Sequence, residues 1–265
     1  MAGGASAVTI DGDGRLTLAD FAAKQGESQA SAEKRFGATG IVTCGTTHST
    51  AQLTIRADVI TTAAHAFYDR RGRLRANPGD CVFTILEGAK VQAIKIRTGS
   101  LRVGSVDPYA EPGVKDWAVA RLSQPVQGAT PYQIAPLSTP GSIFLVANRH
   151  EGWVHDGMKA IEACAIRQAA RRIANAPREL AIDCSTGQGA SGSALMLPGA
   201  PGSMIGIYVG WRSSHPQAAG PYAPNHLNYG LAIEGAFRTA IEATVAPEPQ
   251  IAHTSIAAAS LSRLD

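Results

Sequence analysis

Between residues 36 and 246 short apolar or alternating runs are punctuated by Gly, Pro and Asn, the pattern of strands closed by turns. In the first half the runs are GIVTC (40–44), AQLTIR (51–56), DVITTA (58–63), CVFTIL (81–86), VQAIKIR (91–97) and WAVARL (117–122). The second half repeats the pattern with SIFLVA (142–147), KAIEACAI (159–166), ELAIDC (179–184), SALML (193–197), MIGIYVGW (204–211) and NYGLAI (228–233). A Pro-rich stretch, 125–140, divides the two sets. Six plus six suits two closed or nearly closed antiparallel barrels, which leave no strand edge exposed. In EGAFRTAIEATV (234–245) the period changes, and Ala236, Phe237, Ala240, Ile241 and Val245 share one helical face. No strand–helix–strand alternation occurs, which argues against a doubly wound sheet. The expectation is an all-β fold: two six-stranded antiparallel β-barrels, at 36–128 and 129–246, with a C-terminal α-helix.

Residues 1–35 differ, being rich in Ala, Gly, Ser and charge. They read as an N-terminal extension, either a pro-segment or a linker. Leu18, Phe21, Ala22 and Phe36 are loosely periodic and suit a helix within 18–36, but SQASAEKR reads as linker. The Ala/Ser-rich stretch 247–265 reads as a flexible tail.

A net charge of +3 over 265 residues, with no dense basic block among aromatics, argues against nucleic acid as a partner. Arg171 and Arg172, flanked by Arg167 and Arg178, read as a solvated face. No apolar run reaches the roughly 18 residues that span a bilayer, so no membrane partner is expected. MAGGASAV lacks the charged-then-apolar order of a signal peptide. Either the protein stays inside the cell, or its signal is absent from this chain. Four cysteines bear on that choice: Cys44, Cys81, Cys164 and Cys184. Three pairings are open. Pairing Cys44 with Cys81 and Cys164 with Cys184 keeps each bond within one half of the chain, and four unpaired core thiols is the other reading. Disulfides favour a secreted or periplasmic protein.

Three segments carry chemistry: TAAH (62–65), DWAVARL (116–122) and GQGASGSAL (187–195). They supply His65, Asp116 and Ser191. An imidazole can take the proton of a serine hydroxyl and return it to a leaving group, and a carboxylate fixes the imidazole tautomer. Gly189 permits a turn that aims N–H groups inward, so the amides of Gly189 and Ser191 are oxyanion-hole candidates. Taken singly each segment has an ordinary reading: a Gly/Ser turn, a structural histidine after a strand, and a turn aspartate after Pro112–Gly113. Asp80 and Asp107 are weaker candidates, because neither leads directly into an apolar strand. Ser193 stands where a nucleophile elbow would close on glycine.

Together, and in the order His–Asp–Ser, TAAH, DWAVARL and GASGS resemble the signature segments of the chymotrypsin-like (trypsin-like) serine proteases. The resemblance covers roughly residues 36–246. It implies two six-stranded barrels with the triad in the cleft between them. The implied activity is that of a serine endopeptidase acting through an acyl-enzyme on protein or peptide substrates, as a monomer with no required cofactor. Ala190 replaces the aspartate that usually precedes the serine, so zymogen activation through that residue is lost. Ala66 replaces the cysteine that commonly follows the histidine. DCSTGQG, Ser-Gly-Ser and IGIYVGW resemble the bacterial glutamyl-endopeptidase-like branch, where a cysteine before the serine loop often pairs with an earlier strand. That supports Cys164–Cys184.

The family pattern puts Ser185 at the base of the specificity pocket with Thr186 beside it, and no aspartate there to favour Lys or Arg. Val209, Gly210 and Trp211 match the strand that pairs with substrate backbone. Tyr208 stands where glutamate-specific relatives carry histidine, which puts glutamate preference in doubt. Trp211 either narrows the pocket or packs on the barrel, and His215 and His226 read as loop histidines.

DGDGRLTLADF (11–21) resembles the latter part of an EF-hand loop, making Asp11, Asp13 and Asp20 weak calcium candidates. Thr9 at the first ligand position and Asp20 in place of the bidentate Glu count against it. The rival functional classes are an esterase-like or narrowly regulated protease with a shielded pocket, a catalytically silent binding protein that keeps the fold, and a calcium-dependent module or latent precursor.

Overall fold

A computed structural model describes residues 8–247, apart from 88–89, 111–112, 138–140, 156 and 217. The expected tail at 247–265 lies, but for its first residue, outside the described residues.

A two-residue strand, β1 (Leu16–Thr17), leads into helices α1 (Leu18–Gln25) and α2 (Gln29–Phe36). Thr17 caps α1 by accepting the Asp20 N–H, and left-handed Gly26 (φ 68°) ends it. Ser28 caps α2. SQASAEKR is therefore helix from Gln29 onward, not linker. A Ser cap starts the helix, and Ala32 and Phe36, four apart, share its buried face. Phe36 meets Phe21 edge-on at 5.4 Å, and Phe21 meets Phe144 at 5.1 Å. The periodicity over 18–36 thus belongs to two helices broken at Gly26, both sealed against the second barrel.

The first half forms β2 (Thr39–Cys44), β3 (Thr47–Thr54), β4 (Arg56–Thr62), β5 (Val82–Glu87), β6 (Lys90–Lys95), β7 (Arg102–Val103) and β8 (Ala118–Arg121). The sheet order is β6-β5-β2-β3-β4-β8-β7. Just past β6 and β8, Ile96 bridges Leu122 antiparallel, with Arg97 N–H bonding the Arg121 carbonyl at 2.8 Å. That bridge brings the two ends of the six-strand path together.

The second half forms β9 (Gln133–Ile134), β10 (Ser142–Ala147), β11 (Ala160–Ala169), β12 (Glu179–Ile182), β13 (Ala194–Met196), β14 (Ser203–Ser213) and β15 (His226–Ala232). The path β11-β10-β13-β14-β15-β12 closes when β12 pairs back to β11. β1 joins the rim antiparallel to β11, and β9 runs parallel to β14. Helix α3 (Gly235–Val245) then crosses to the first half, where Phe237 stacks on Trp117 at 5.2 Å. Cys44–Cys81 and Cys164–Cys184 are disulfides, one in each half.

Candidate active site

Strand register sets the first two groups. β4 and β8 pair antiparallel, with Thr62 opposite Ala118. His65 lies three residues beyond Thr62, on the turn Ala64–Ala66, and Asp116 lies two before Ala118. The ends of two paired strands therefore deliver both side chains to one place. Asp116 Oδ1 accepts the His65 backbone N–H at 3.0 Å, and Oδ2 lies 2.6 Å from His65 Nδ1. A carboxylate so placed accepts a hydrogen bond from Nδ1–H, which leaves Nε2 as the free acceptor. Asp116 is 6 % exposed, so little water competes for it. Arg75 donates to the His65 carbonyl (3.1 Å) and to the Tyr109 hydroxyl (3.3 Å). It thereby braces the Tyr109 ring 5.8 Å from the imidazole. Asp80 and Asp107 are engaged elsewhere, by Lys95 and by the Ala110 N–H.

The serine loop is docked across the seam between the barrels. Gly189 (φ 83°) and Gly192 (φ 86°) are both left-handed, which L side chains resist. The Gly189 carbonyl accepts the backbone N–H and the hydroxyl of Thr50, each at 2.8 Å. On the other flank Gly192 N–H bonds the Tyr208 carbonyl at 2.7 Å. A side chain at Gly192 would run into the Thr50 carbonyl and into Thr62, the first residue of TAAH. Ser191, half-buried, is thus carried to the end of β4 from which His65 emerges. Ala190 is fully buried beneath it. Among the described residues neither the Gly189 nor the Ser191 N–H donates to a protein acceptor.

No known family profile and no curated protein matches the sequence. Solved structures do match. A Glu endopeptidase in complex with MPD superposes with a TM-score of 0.65 at 16 % identity, over 89 % of this chain and 98 % of that one. A thermostable serine protease, AL20, from an extremophilic microorganism gives 0.54 at 16 % identity, over 78 % and 96 %. The chain has the chymotrypsin-like serine protease fold.

Within this protease fold, the residues expected at the specificity pocket divide. Val209, Gly210 and Trp211 lie on β14 past Tyr208, the last residue there bonded to the serine loop. Beyond it, among the described residues, no strand pairs with that edge, while the other edge continues along β15. Val209 sits at a bulge, Gly210 lies over Tyr229, and Trp211 is 37 % exposed. Ser185, Thr186 and Tyr208 are buried. Thr186 Oγ1 and the Tyr208 hydroxyl are 2.8 Å apart, and Thr186 also bonds Asn228 Oδ1 at 2.9 Å. Burial pushes the Tyr208 phenol up. Ser185 is held by the N-terminal segment. Its Oγ accepts the Ile10 N–H (3.2 Å) and donates to the Gly12 carbonyl (3.0 Å). Val8, also buried, accepts from the Thr186 N–H and from Asn228 Nδ2, both at 3.0 Å.

Behind this strap Glu162 accepts the Ser185 N–H at 2.7 Å. Burial pushes its carboxyl up to about 8, against the pull of that hydrogen bond and of Arg15. His150 is buried nearby and held down to about 3 by desolvation and by Arg15. Asn228, Glu162 and the strap were not anticipated. A lone acid inside KAIEACAI and the apolar alternation of Val8 and Ile10 were the available signals. The calcium candidates do not converge: Arg15 holds Asp13 at 2.7 Å, Asp20 accepts the Thr17 hydroxyl at 2.6 Å, and Asp11 is exposed. The metal-like cluster that does form among the described residues, Cys164, Asp183 and Cys184, has both thiols in a disulfide.

Proposed function

We propose that the protein is a serine endopeptidase of the glutamyl-endopeptidase-like branch. His65 Nε2 removes the Ser191 hydroxyl proton as Oγ attacks the scissile carbonyl. The N–H groups of Gly189 and Ser191 receive the oxyanion. When the C–N bond breaks, His65 returns that proton to the departing amine, and the acyl group stays on Ser191. Water, deprotonated by His65 in its turn, attacks the acyl carbon, and His65 gives that proton to Ser191 Oγ as the acid departs. Asp116 holds the Nδ1 proton and faces the imidazolium throughout. The acyl side of the substrate adds as a strand along Val209–Trp211, on the edge opposite β15, which among the described residues pairs with no strand. No cofactor enters these steps.

The observation that carries the reading is the Asp116–His65 pair at the end of β4, with the serine loop packed on that same end through Gly192. The neutral Thr186–Tyr208–Asn228 network supports a pocket for uncharged or hydrogen-bonding side chains over a trypsin-like one. The two disulfides fit an extracellular or periplasmic setting. One observation favours a latent form: the strap from Val8 to Gly12 takes up the polar groups of Ser185 and the Thr186 N–H. Fluorophosphonate labelling tests the proposal. The parent protein labels at one serine and Ser191→Ala does not. Absence of labelling in folded, unprocessed and N-terminally trimmed protein alike defeats it.

A further inference from the structure

The serine loop has two flanks with different surroundings. The Gly192 flank leads to β14, whose edge opposite β15 pairs past Tyr208 with no strand among the described residues, which suits the acyl side of a substrate. At the Gly189 flank the loop is tied instead to the segment 148–151. Asn148 N–H bonds Thr50 Oγ1 at 3.1 Å, and Glu151 N–H bonds the Gln188 carbonyl at 2.9 Å. Between those two ties stands Arg149. Its stem fills the space that a side chain at position 189 would occupy: Cγ, Cδ and Cβ would lie 2.8, 2.9 and 3.0 Å from such a Cβ. Gly189 is therefore glycine for two reasons, its backbone angle and the arginine stem laid on it.

The guanidinium has no hydrogen bond or ion pair with any described residue. The other arginines of the cleft region are engaged: Arg75 by His65 and Tyr109, Arg15 by Asp13, Arg70 over the Tyr109 ring. An arginine keeps its charge at any working pH and matches a carboxylate in a planar fork. A chain that runs along β14 on its acyl side and passes over Ser191 leaves the loop at the Gly189 flank.

We infer that Arg149 is a specificity-determining residue that recognises an acidic side chain in the first two residues of the leaving group. This rests on the proteolytic reading and adds a substrate class to it. Among the described residues none supplies an anion to it, and a substrate that does so meets it on the leaving-group side.

The test uses internally quenched peptides, amidated at the C-terminus, that differ only in Glu, Gln or Lys at those two positions. The parent protein is expected to cleave the Glu peptide with a kcat/KM about tenfold above the Gln peptide, and the ratio should shrink as salt rises. In Arg149→Gln the ratio should fall to about one, and in Arg149→Glu the Lys peptide should lead. The same ratios are read without turnover as peptide affinities for Ser191→Ala by calorimetry, so a chain that fails to label still tests Arg149. Equal handling of Glu and Gln by the parent, or a preference that survives in Arg149→Gln, overturns the inference. Loss of labelling with the affinity ratio intact removes the proteolytic reading alone.

Discussion

The two halves of the molecule build their parts of the cleft by different means. In the first, backbone pairing does the positioning. Thr62 opposite Ala118 fixes where β4 and β8 end, and His65 and Asp116 follow within three residues of that pair. In the second, side chains and a distant segment do it. Ser185, Thr186 and Tyr208 are located by Asn228, by Glu162 and by the strap from Val8 to Gly12. A strand register shifts only by moving every residue of the strand, whereas a buried polar network is altered by one substitution or one protonation. The His65–Asp116 side should therefore tolerate changes of condition, and the Ser185–Tyr208 side should respond to them.

The largest expected effect lies on the first side. Asp116→Asn keeps the shape but offers an amide where Nδ1–H needs an acceptor, so the imidazole is no longer held in one tautomer. Activity should fall by about 10⁴-fold with little change in thermal midpoint, because β4 and β8 remain paired. A small drop in kcat, or a collapse of the fold, would show that register alone does not organise this side.

The next effect lies on the second side and depends on pH. Glu162 is held up near 8, against an ordinary value of 4.5. Between those values the native protein keeps a proton that the unfolded chain has released. Stability from this group is complete below about 4.5 and lost as pH rises towards 8, by at most about 1.4 kcal/mol per unit. The groups facing it are Arg15, Asp13 and Ser185. His150 acts in the opposite direction. It is held near 3 against 6.5, so the native state resists a proton that the unfolded chain accepts, and stability falls as pH drops below about 6.5. Glu162→Gln keeps an acceptor for the Ser185 N–H and has no proton to lose. Denaturant midpoints should change little in the parent from pH 5 to 6.5, where the two groups oppose each other, and decline from 6.5 to 8, whereas in the variant they should rise to about 6.5 and then stay flat. Parallel declines would show that Glu162 is not the responsible group.

The same contrast explains what the sequence could reveal. Strands, barrels and α3 were readable because period and punctuation are local properties, and the closure of β11 through β12 follows from having six such strands on each side of a Pro-rich break. DWAVARL was readable because Asp116 opens a strand buried as far as Leu122. Helix α2 was misread because its burial rests on two apolar residues in eight, Ala32 and Phe36, and Phe36 meets Phe144 more than a hundred residues away. The strap went unanticipated for the same reason. Ile10 and Ser185 are 175 positions apart, and nothing local to Val8–Gly12 indicates that their carbonyls will serve a threonine and an asparagine in the second barrel. Arg149 carries no signal in the sequence, since its meaning depends on which glycine its stem covers.

The smallest effect falls at the seam, where the two modes meet in Thr50. Its hydroxyl donates to the Gly189 carbonyl and accepts the Asn148 N–H, while its own N–H bonds the same Gly189 carbonyl. Thr50→Val keeps the shape and the backbone bond but removes the hydroxyl, leaving the Asn148 N–H without its acceptor. The cost should be about 2 kcal/mol, about 1 for each of the two bonds the hydroxyl makes. If the seam merely holds the barrels together, the loss should appear in the denaturation midpoint with kinetics unchanged. If Thr50 carries the register of β3 into the serine loop, Gly189 will relax away from the His65 side, and kcat should fall a few-fold at constant KM. Comparing ester and amide substrates then sharpens the result. A displaced oxyanion donor slows acylation of the amide more than of the ester, because the amide leaves less readily and depends more on a well-aimed N–H.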